Sequence, residues 1–278
     1  MIEGREDTKS PFGVYRPGWL VRWAWRLADQ HSLSDAVRRT VRSVVARLFG
    51  GPYDLSVEGL KFRLYPAENY DDRKILAKGR LPEKAERKLL APFLKAGGTF
   101  VDVGANVGSY ALFAAHHGMD VLAVEANPST AERLKFNVAA NDMDEVRVVE
   151  MAVGPEAGEL TLWYEPTNRG FATAVKDLAD EWRADWAPRK VSMQTLKDVL
   201  ESASIEGIHV LKLDVEGFED RVVLPYLRAT GKSLWPRVIL LETNCRPHWV
   251  EDCLTELERH GYRRVGETED NAVLELAA

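Results

Sequence analysis

The segment TFVDVGANVGSYAL (residues 99–112), followed by VLAVEAN (residues 121–127), decides the fold of this chain. An apolar run leads into a turn with two glycines, a helix-forming run follows, and a second apolar run ends on Glu125, about twenty residues after the first glycine. This order predicts a βαβ unit whose turn receives a nucleoside and whose carboxylate holds the ribose. A βαβ unit in which the turn only serves tight packing is the alternative interpretation.

The chemistry of the turn favours S-adenosylmethionine over NAD. Gly104 and Gly108 permit left-handed backbone and close approach of a ligand, and the helix after them points free N–H groups at that ligand. The spacing Asp-x-Gly-x-x-x-Gly is wider than the dinucleotide pattern Gly-x-Gly-x-x-Gly and suits a pyrophosphate less well. We therefore expect a single nucleoside with a methionine tail.

Each part of that cofactor has expected partners. Asp102 and the turn should hold the methionine part and Glu125 the ribose. Residues 152–153 should flank the adenine, with Asn141 or Asp142 as the polar partner at its edge. The predicted cofactor contacts are Asp102, Gly104, Asn106, Gly108, Ser109, Glu125, Ala126, Asn141, Ala152 and Val153.

Composition narrows the classes of function. The chain has 278 residues, a formal net charge of −6 and a pI near 5.6, which argues against a dedicated nucleic-acid binder. Cys245 and Cys253 form no metal-ligand or disulfide pattern and indicate reduced thiols. Since no apolar run approaches a membrane span of about eighteen residues, we expect a cytoplasmic protein, with the membrane surface as a candidate peripheral location.

Residues 1–81 are predicted to form an accessory segment, and residues 82–278 the domain that binds the cofactor. Residues 17–50 carry apolar side chains at helical spacing in two amphipathic stretches that separate near residues 32–34, and residues 55–64 alternate as a hairpin. Arginines beside Trp19, Trp23 and Trp25 suit a membrane surface or a partner helix. A packing helix with solvated arginines is the simpler interpretation.

Strands and helices alternate regularly in the rest of the chain. Strands are predicted at residues 99–103, 120–125, 146–152, 209–214 and 237–242, with a terminal pair at 262–267 and 272–276. Helices are predicted at residues 82–95, 109–117, 129–141, 193–203, 218–230 and 247–261. The expected fold is α/β, a twisted, mostly parallel, seven-stranded sheet with an antiparallel C-terminal strand. Residues 161–189 are interpreted as an irregular loop near the mouth of the sheet.

Charged side chains cluster where ligands bind in open α/β sheets, at the carboxyl ends of the strands. Lys212 and Asp214 share one face of their strand, either as a mutually neutralised pair or as part of a catalytic centre. Asp214 is the expected base that takes the acceptor proton. The predicted catalytic set is Asp214, Lys212, Glu216, Glu242 and His248, in which Lys212, Glu216 and His248 are alternative bases.

Oxygen-bearing side chains at the same edge also suggest a metal. Asp214, Glu242 and Asn244 resemble the ligands of magnesium-dependent catechol-type O-methyltransferases, so a divalent cation such as Mg²⁺ is one prediction. The same side chains could instead position a sugar by hydrogen bonds alone.

Four motifs together resemble the FkbM family of S-adenosylmethionine-dependent methyltransferases. They are DVGANVG (102–108), VEANP (124–128), KLDVEGFE (212–219) and LE (241–242), with Asn137 and Asn141 on the helix between. The resemblance, which covers residues 82–244, implies a Rossmann-like class I methyltransferase that acts on a hydroxyl oxygen. It further implies a small-molecule or carbohydrate acceptor, such as a sugar, glycolipid, polysaccharide or natural product.

Other interpretations stay open. A nucleic-acid methyltransferase would share the cofactor half, although DVEG (214–217) stands where amino-methylating enzymes carry Asn-Pro-Pro-aromatic or Asp-Pro-Pro-aromatic. An NAD-dependent oxidoreductase would use the same βαβ unit, and a non-catalytic nucleotide-binding or membrane-associated protein would rely on the N-terminal helices. Nucleic acid is not the expected partner, and the sequence leaves a homodimer undecided.

Overall fold

The computed structural model describes residues 7–30, 34–165, 168–181 and 186–277. Its α-helices are α1 (Trp19–Ala28), α2 (Asp35–Leu48), α3 (Tyr70–Lys78), α4 (Lys84–Leu90), α5 (Ser109–His116), α6 (Pro128–Ala140), α7 (Lys176–Glu181), α8 (Leu196–Ser202), α9 (Asp220–Ala229) and α10 (Cys253–Arg259). Short 3-10 helices lie at Ala91–Phe93, Lys232–Leu234 and Arg246–His248. The strands are β1 (Tyr53–Val57), β2 (Leu60–Leu64), β3 (Thr99–Val103), β4 (Asp120–Glu125), β5 (Val146–Glu150), β6 (Ala152–Gly154), β7 (Gly158–Glu165), β8 (Asn168–Thr173), β9 (Ala187–Thr195), β10 (Val210–Leu213), β11 (Val238–Glu242), β12 (Tyr262–Glu267) and β13 (Asn271–Leu276).

Seven strands form the central sheet in the order β12, β13, β11, β10, β3, β4, β5. The last five of these run parallel, and β13 runs antiparallel between β11 and β12. This arrangement confirms the predicted Rossmann-like class I fold, including the antiparallel C-terminal strand. The carboxyl ends of the parallel strands meet at one edge, which is where a ligand binds in such a sheet.

Helices cover both faces of the central sheet, so its strands are apolar on both sides. Successive residues of β3 point to opposite faces. Phe100 therefore belongs to the core beneath α5, whereas Val101 belongs to the core beneath α8 and α9. Full burial of each such side chain stabilises the fold by about 1.5–3 kcal/mol. The two cores hold the strand ends in fixed positions beneath the candidate site.

Much of the segment 161–189, predicted as an irregular loop, belongs to a second, four-stranded sheet in the order β6, β9, β7, β8. The prediction was wrong because β7 and β9 bury few side chains, Leu162 in β7 and Val191 and Met193 in β9, so little apolar signal marks them as strands. Residues 166–167 and 182–185 lie outside the described residues.

Several predicted elements differ in their bounds, and three of these differences have a clear local cause. The strand predicted at 146–152 divides, because β6 leaves β5 to pair with β9 of the second sheet. The helix predicted at 193–203 begins at Leu196, since the Thr195 hydroxyl accepts a hydrogen bond from the Asp198 N–H and caps it. The helix predicted at 247–261 contains only α10 after a short 3-10 helix, because the backbone at Trp249 and Asp252 is extended.

Two asparagines of α6 hold the predicted hairpin, β1–β2, against the turn after β3. Asn137 accepts a hydrogen bond from the Arg63 N–H at 2.8 Å and donates to the Val107 carbonyl at 2.9 Å. Asn141, one helical turn later, accepts from the Lys61 N–H at 2.8 Å and donates to the Lys61 carbonyl at 2.7 Å. The predicted contact of Asn141 with adenine is therefore wrong, because both ends of its amide bind the hairpin backbone.

The accessory segment shares an apolar core with the rest of the protein. Trp25, Phe62 and Ile75 pack in the same cluster as Leu112 of α5. The predicted break between the N-terminal helices falls mostly at residues 31–33, which lie outside the described residues. No helix in the described ranges combines the length and apolar character that crossing a bilayer requires. The division at residue 81 and the cytoplasmic location stay predictions.

Asn137→Ala should destabilise the protein by about 2–4 kcal/mol, because it leaves the buried Arg63 N–H and Val107 carbonyl without their partners. Urea unfolding measures the change in free energy of unfolding. Glu132→Ala, at an exposed position of the same helix, is the control and should change it by less than about 0.5 kcal/mol. Equal effects of the two substitutions would show that the Asn137 bonds do not hold the hairpin.

Candidate active site

A cavity of about 460 Å³ opens at the carboxyl ends of β3, β4, β10 and β11. Its position is the one that the sequence predicts. The predicted site residues on its wall are Gly104, Asn106, Glu125, Ala126, Ala152, Val153, Asp214, Glu216, Glu242 and Asn244.

Three predicted cofactor contacts lie behind this wall. Asp102 is fully buried and faces Lys212. Gly108 precedes α5 in left-handed conformation, and a Cβ there would lie 2.6 Å from the Leu134 side chain, so this glycine serves close packing with α6. Ser109 is buried, and its hydroxyl has no hydrogen-bond partner among the described residues. The predicted direct contacts of these three residues with the cofactor stay predictions, since the three residues lie behind the residues that line the cavity.

His248 also lies away from the cavity wall. Its Nε2 is 3.4 Å from Glu181 Oε2, and its Cβ lies against Gly217. The imidazole therefore faces α7, and the structure gives no support to its predicted role as an alternative base.

The turn after β3 brings bare backbone to the cavity. Gly104 has a φ of +82°, and a Cβ there would lie 1.8 Å from the Asp214 carbonyl oxygen, so a side chain has no room. The N–H groups of Gly104 and Ala105 both donate to the Val124 carbonyl, at 2.9 and 3.0 Å. These bonds fix the turn to the end of β4, and they place it beside Glu125.

The Lys212 ammonium group joins three chain segments beneath the cavity. Its Nζ lies 3.3 Å from Asp102 Oδ1, 3.1 Å from Asp214 Oδ2, and 3.2 Å from the Gly104 carbonyl, to which it donates. Burial alone would lower the pKa of Lys212, but Asp102 and Asp214 raise it above its ordinary value. Lys212 therefore stays protonated, so its predicted role as an alternative base is wrong.

Glu125 presents its carboxylate at the cavity wall while backbone groups hold both of its oxygens. The Asn106 N–H donates to Oε2 at 2.9 Å, and the Asn127 N–H donates to Oε1 at 2.8 Å. Burial raises the pKa of Glu125 to about 7, against the opposing effect of these two bonds. Each oxygen keeps a second lone pair that can accept a ligand hydroxyl.

Two further carboxyl groups form an acidic cluster at the ends of β10 and β11. The Glu216 N–H donates to Glu242 Oε2 at 3.3 Å. Burial, with repulsion from Asp214, raises the pKa of both Glu216 and Glu242 well above the ordinary value. These carboxyl groups therefore hold protons more tightly than exposed ones and can donate hydrogen bonds into the cavity.

The donor atoms at this edge do not fit a magnesium ion. Among the described residues, Glu216, Glu242 and Cys245 bring ligand-type atoms within 4.8 Å of one another. Burial raises the pKa of the Cys245 thiol, and Mg²⁺ prefers oxygen ligands to a protonated thiol. Of the predicted ligands, Asp214 is already paired with Lys212, whose ammonium occupies the place of a cation.

The cavity has a second wall formed by α3 and β8, and β8 belongs to the segment that the sequence places near the mouth of the sheet. Asn69, which caps α3, donates to the Asn106 side chain at 2.7 Å, and Asn106 donates to Asp71 at 3.2 Å. The Tyr70 N–H donates to the Asn168 side chain of β8 at 2.9 Å. Asn106 therefore meets α3 through its side chain and Glu125 through its backbone.

Tyr70, Asp71 and Lys74 of α3 and Glu83 before α4 face the same cavity. Burial raises the pKa of Glu83 to about 7, and the Tyr110 hydroxyl donates to its carboxyl group at 2.7 Å. Asn69 at the start of a helical run is a signal for a helix N-cap, but nothing in the local pattern shows which cavity the helix faces.

Two comparisons with known proteins both match this chain to methyltransferases. The family model described as "Methyltransferase FkbM domain" matches residues 102–264. The 31-O-demethyl-FK506 methyltransferase FkbM of Streptomyces tacrolimicus is 28% identical over 204 residues, which are 63% of this chain and 76% of that protein.

Comparison with solved structures gives matches of low similarity. The tRNA (uracil-54, C5)-methyltransferase of Pyrococcus abyssi, in complex with S-adenosyl-L-homocysteine, has a TM-score of 0.45 and 14% identity, and the match covers 80% of this chain but 43% of that one. TYW2 of P. horikoshii, in complex with MeSAdo, has a TM-score of 0.44 and 13% identity, with coverage of 87% and 84%.

Cofactor affinity should depend on pH through Glu125. With a pKa of about 7, its carboxylate is mostly ionised at pH 8 and mostly protonated at pH 6, and only the ionised form accepts hydrogen bonds at both oxygens. The Kd of S-adenosylhomocysteine, measured by calorimetry, should therefore rise by about tenfold from pH 8 to pH 6.

Glu125→Gln should bind S-adenosylhomocysteine more weakly at pH 8 and lose the pH dependence. Glu150→Gln is the matched control, because Glu150 pairs in register with Glu125 on β5 but lies partly exposed outside the cavity wall. This variant should keep the wild-type profile. An unchanged pH profile in Glu125→Gln would show that Glu125 does not contact the cofactor.

Proposed function

We propose, from the premise that the chain belongs to the FkbM methyltransferase family, that it methylates a hydroxyl oxygen of a sugar, glycolipid, polysaccharide or other natural product. The chain is accordingly an S-adenosylmethionine-dependent methyltransferase. The proposal for the acceptor rests on one observation, which is that a cofactor-type wall and a wall of polar and aromatic side chains line the same cavity. Glycine backbone and Glu125 form one wall, side chains of α3 and β8 form the other, and the acidic side chains at the ends of β10 and β11 lie on the same cavity.

The residues of the first wall fit S-adenosylmethionine. Gly104 lines the cavity while its backbone packs closely against the Asp214 carbonyl, and Glu125 would accept the ribose hydroxyl groups. Met151, Val153 and Phe218 add apolar surface on which an adenine ring can lie. When bound, S-adenosylmethionine supplies an electrophilic methyl group on a sulfonium that carries its own leaving group.

Asp214 is the proposed base that takes the hydroxyl proton as the new C–O bond forms. It lines the cavity at the end of β10, and the ion pair with Lys212 fixes the position of its carboxylate. Lys212 acts as a positioning residue, because it also binds the Gly104 carbonyl and so sets the distance between base and cofactor turn. Glu216 and Glu242, with raised pKa values, donate hydrogen bonds to acceptor oxygens.

A hydroxyl-rich acceptor suits the second wall. Asp71, Lys74 and Asn244 offer donors and acceptors in several directions, while Tyr70 and Phe171 offer rings on which a sugar face can stack. The Streptomyces relative carries a name that specifies an O-demethyl acceptor, which supports oxygen as the atom that this chain methylates.

The experiment that tests the proposed function uses labelled S-adenosylmethionine with a panel of sugars, glycolipids and polysaccharides. Label should pass to a hydroxyl of a member of this panel. Transfer to nucleic acid, included as a separate arm, would contradict the proposal and favour the nucleic-acid alternative.

Removal of metal should leave turnover unchanged. Since the donor set does not fit Mg²⁺ and Asp214 is paired with the Lys212 ammonium, the proposed mechanism uses no metal. Treatment with EDTA should change the rate of label transfer by less than about twofold. A large loss that Mg²⁺ restores would overturn this part of the mechanism.

Asp214→Asn should lower turnover by about a hundredfold or more, because the amide cannot accept the hydroxyl proton. Its Kd for S-adenosylhomocysteine should stay close to that of the wild type. Asp120→Asn, at the opposite edge of the sheet, is the control and should leave turnover intact. Near-normal turnover in Asp214→Asn would remove Asp214 from the mechanism.

A further inference from the structure

The N-terminal helices α1 and α2 expose large apolar side chains. Trp19 and Trp23, one turn apart on α1, are 79% and 57% exposed, and Val44 and Leu48 on α2 are 53% and 66% exposed. The opposite side of α1 is buried, and the indole of Trp25 there donates to the Phe49 carbonyl at 2.8 Å. We call the exposed side, defined by Trp19, Trp23, Val44 and Leu48, the tryptophan face.

The same helices carry positive charge on an otherwise acidic protein. Residues 16–48 hold seven arginines and two aspartates, a formal charge of +5, whereas the whole chain carries −6. Asp29 is buried beside Arg42 and Lys78 and so adds no negative charge at the surface. Arg26, Arg39 and Arg47 are exposed. The helices that bear the tryptophan face therefore expose both apolar and cationic side chains.

We propose that the tryptophan face docks on the surface of a lipid bilayer that contains anionic lipids. Tryptophan is favoured at the boundary between acyl chains and headgroups, and arginine is attracted by anionic headgroups. A helix with one such face lies in the plane of the interface without crossing it, and α1 has only 10 residues. The positive charge is complementary to this surface, whereas it would repel the same charge on a second copy of the chain.

The position of α1 places such a surface close to the cavity. The Arg26 guanidinium donates to the Ala77 carbonyl at 3.2 Å, near the end of α3. The other end of α3 contributes Tyr70 and Asp71 to the cavity wall, and seven residues of helix span about 10 Å. α3 therefore connects the docking surface to the active site. The docking proposal goes beyond the proposed function and holds for any acceptor.

Flotation of the full chain with vesicles tests the proposal directly. The protein should float with vesicles of phosphatidylcholine that contain about one-third phosphatidylglycerol, and far less with pure phosphatidylcholine. Binding should weaken as salt is raised, because part of the attraction is between exposed charges. Absence of flotation at low salt, or equal flotation with both vesicle types, would overturn the proposal.

Paired substitutions assign the binding to the tryptophan face. Trp19→Ala with Trp23→Ala should weaken vesicle binding by roughly tenfold or more. The matched control is Leu234→Ala with Val250→Ala, two exposed apolar positions elsewhere, and should bind as the wild type does.

Arg39→Gln with Arg47→Gln should weaken vesicle binding by roughly fivefold for each arginine removed. Arg259→Gln with Arg263→Gln, at exposed positions elsewhere, is the matched control. The affinity for S-adenosylhomocysteine should be unchanged in every variant, which shows that the fold and the cofactor site are intact. Failure of the vesicle experiment can then be told apart from failure of the proposed function.

Two other occupants of the tryptophan face are outcomes that would overturn the proposal. Light scattering that shows a dimer lost in Trp19→Ala with Trp23→Ala, together with no vesicle binding by the wild type, would assign the surface to a second copy. A gel shift with an oligonucleotide that depends on Arg39 and Arg47, again without vesicle binding, would assign it to nucleic acid.

Discussion

The buried ammonium of Lys212 is the constraint on which the active site depends. It lies between the carboxylates of Asp102 and Asp214 and binds the Gly104 carbonyl, so one side chain of β10 fixes both its own strand end and the turn after β3. Loss of one partner of such a buried pair leaves an uncompensated charge and destabilises a protein by about 3–5 kcal/mol. Lys212 therefore also fixes the position of Asp214, the proposed base, relative to the turn at Gly104.

Much of the central sheet could be predicted from the sequence, because parallel strands buried on both faces are short apolar runs between helices. The position of the cavity followed from the strand ends, and Glu125 and Asp214 lie on its wall as expected. Asp102 and Lys212 were placed correctly at that edge, but sequence alone did not show that they neutralise each other behind the wall. A charge in an apolar strand indicates a partner without showing on which side of the cavity wall the pair lies.

The remaining parts of the site depend on contacts between distant segments. The bond between Asn69 and Asn106 joins residues 37 positions apart, and that between Tyr70 and Asn168 joins residues 98 apart. No local periodicity encodes such pairs. The second sheet was not predicted because its strands β7 and β9 bury only a few side chains and so carry little apolar signal. Asn141 was misassigned because an asparagine on a helix near the site looks the same whether it binds a ligand or a hairpin backbone.

The separate origin of the two cavity walls affects how this protein can diverge during evolution. The wall formed by α3 and β8 belongs to neither β3 nor β4, so mutations there can change which molecule is methylated while donor recognition persists. Asn106 is the exception. Its backbone N–H binds Glu125 on one wall, and its side chain binds Asn69 on the other. A substitution of Asn106 would therefore affect both walls, so changes in acceptor preference are expected at other positions.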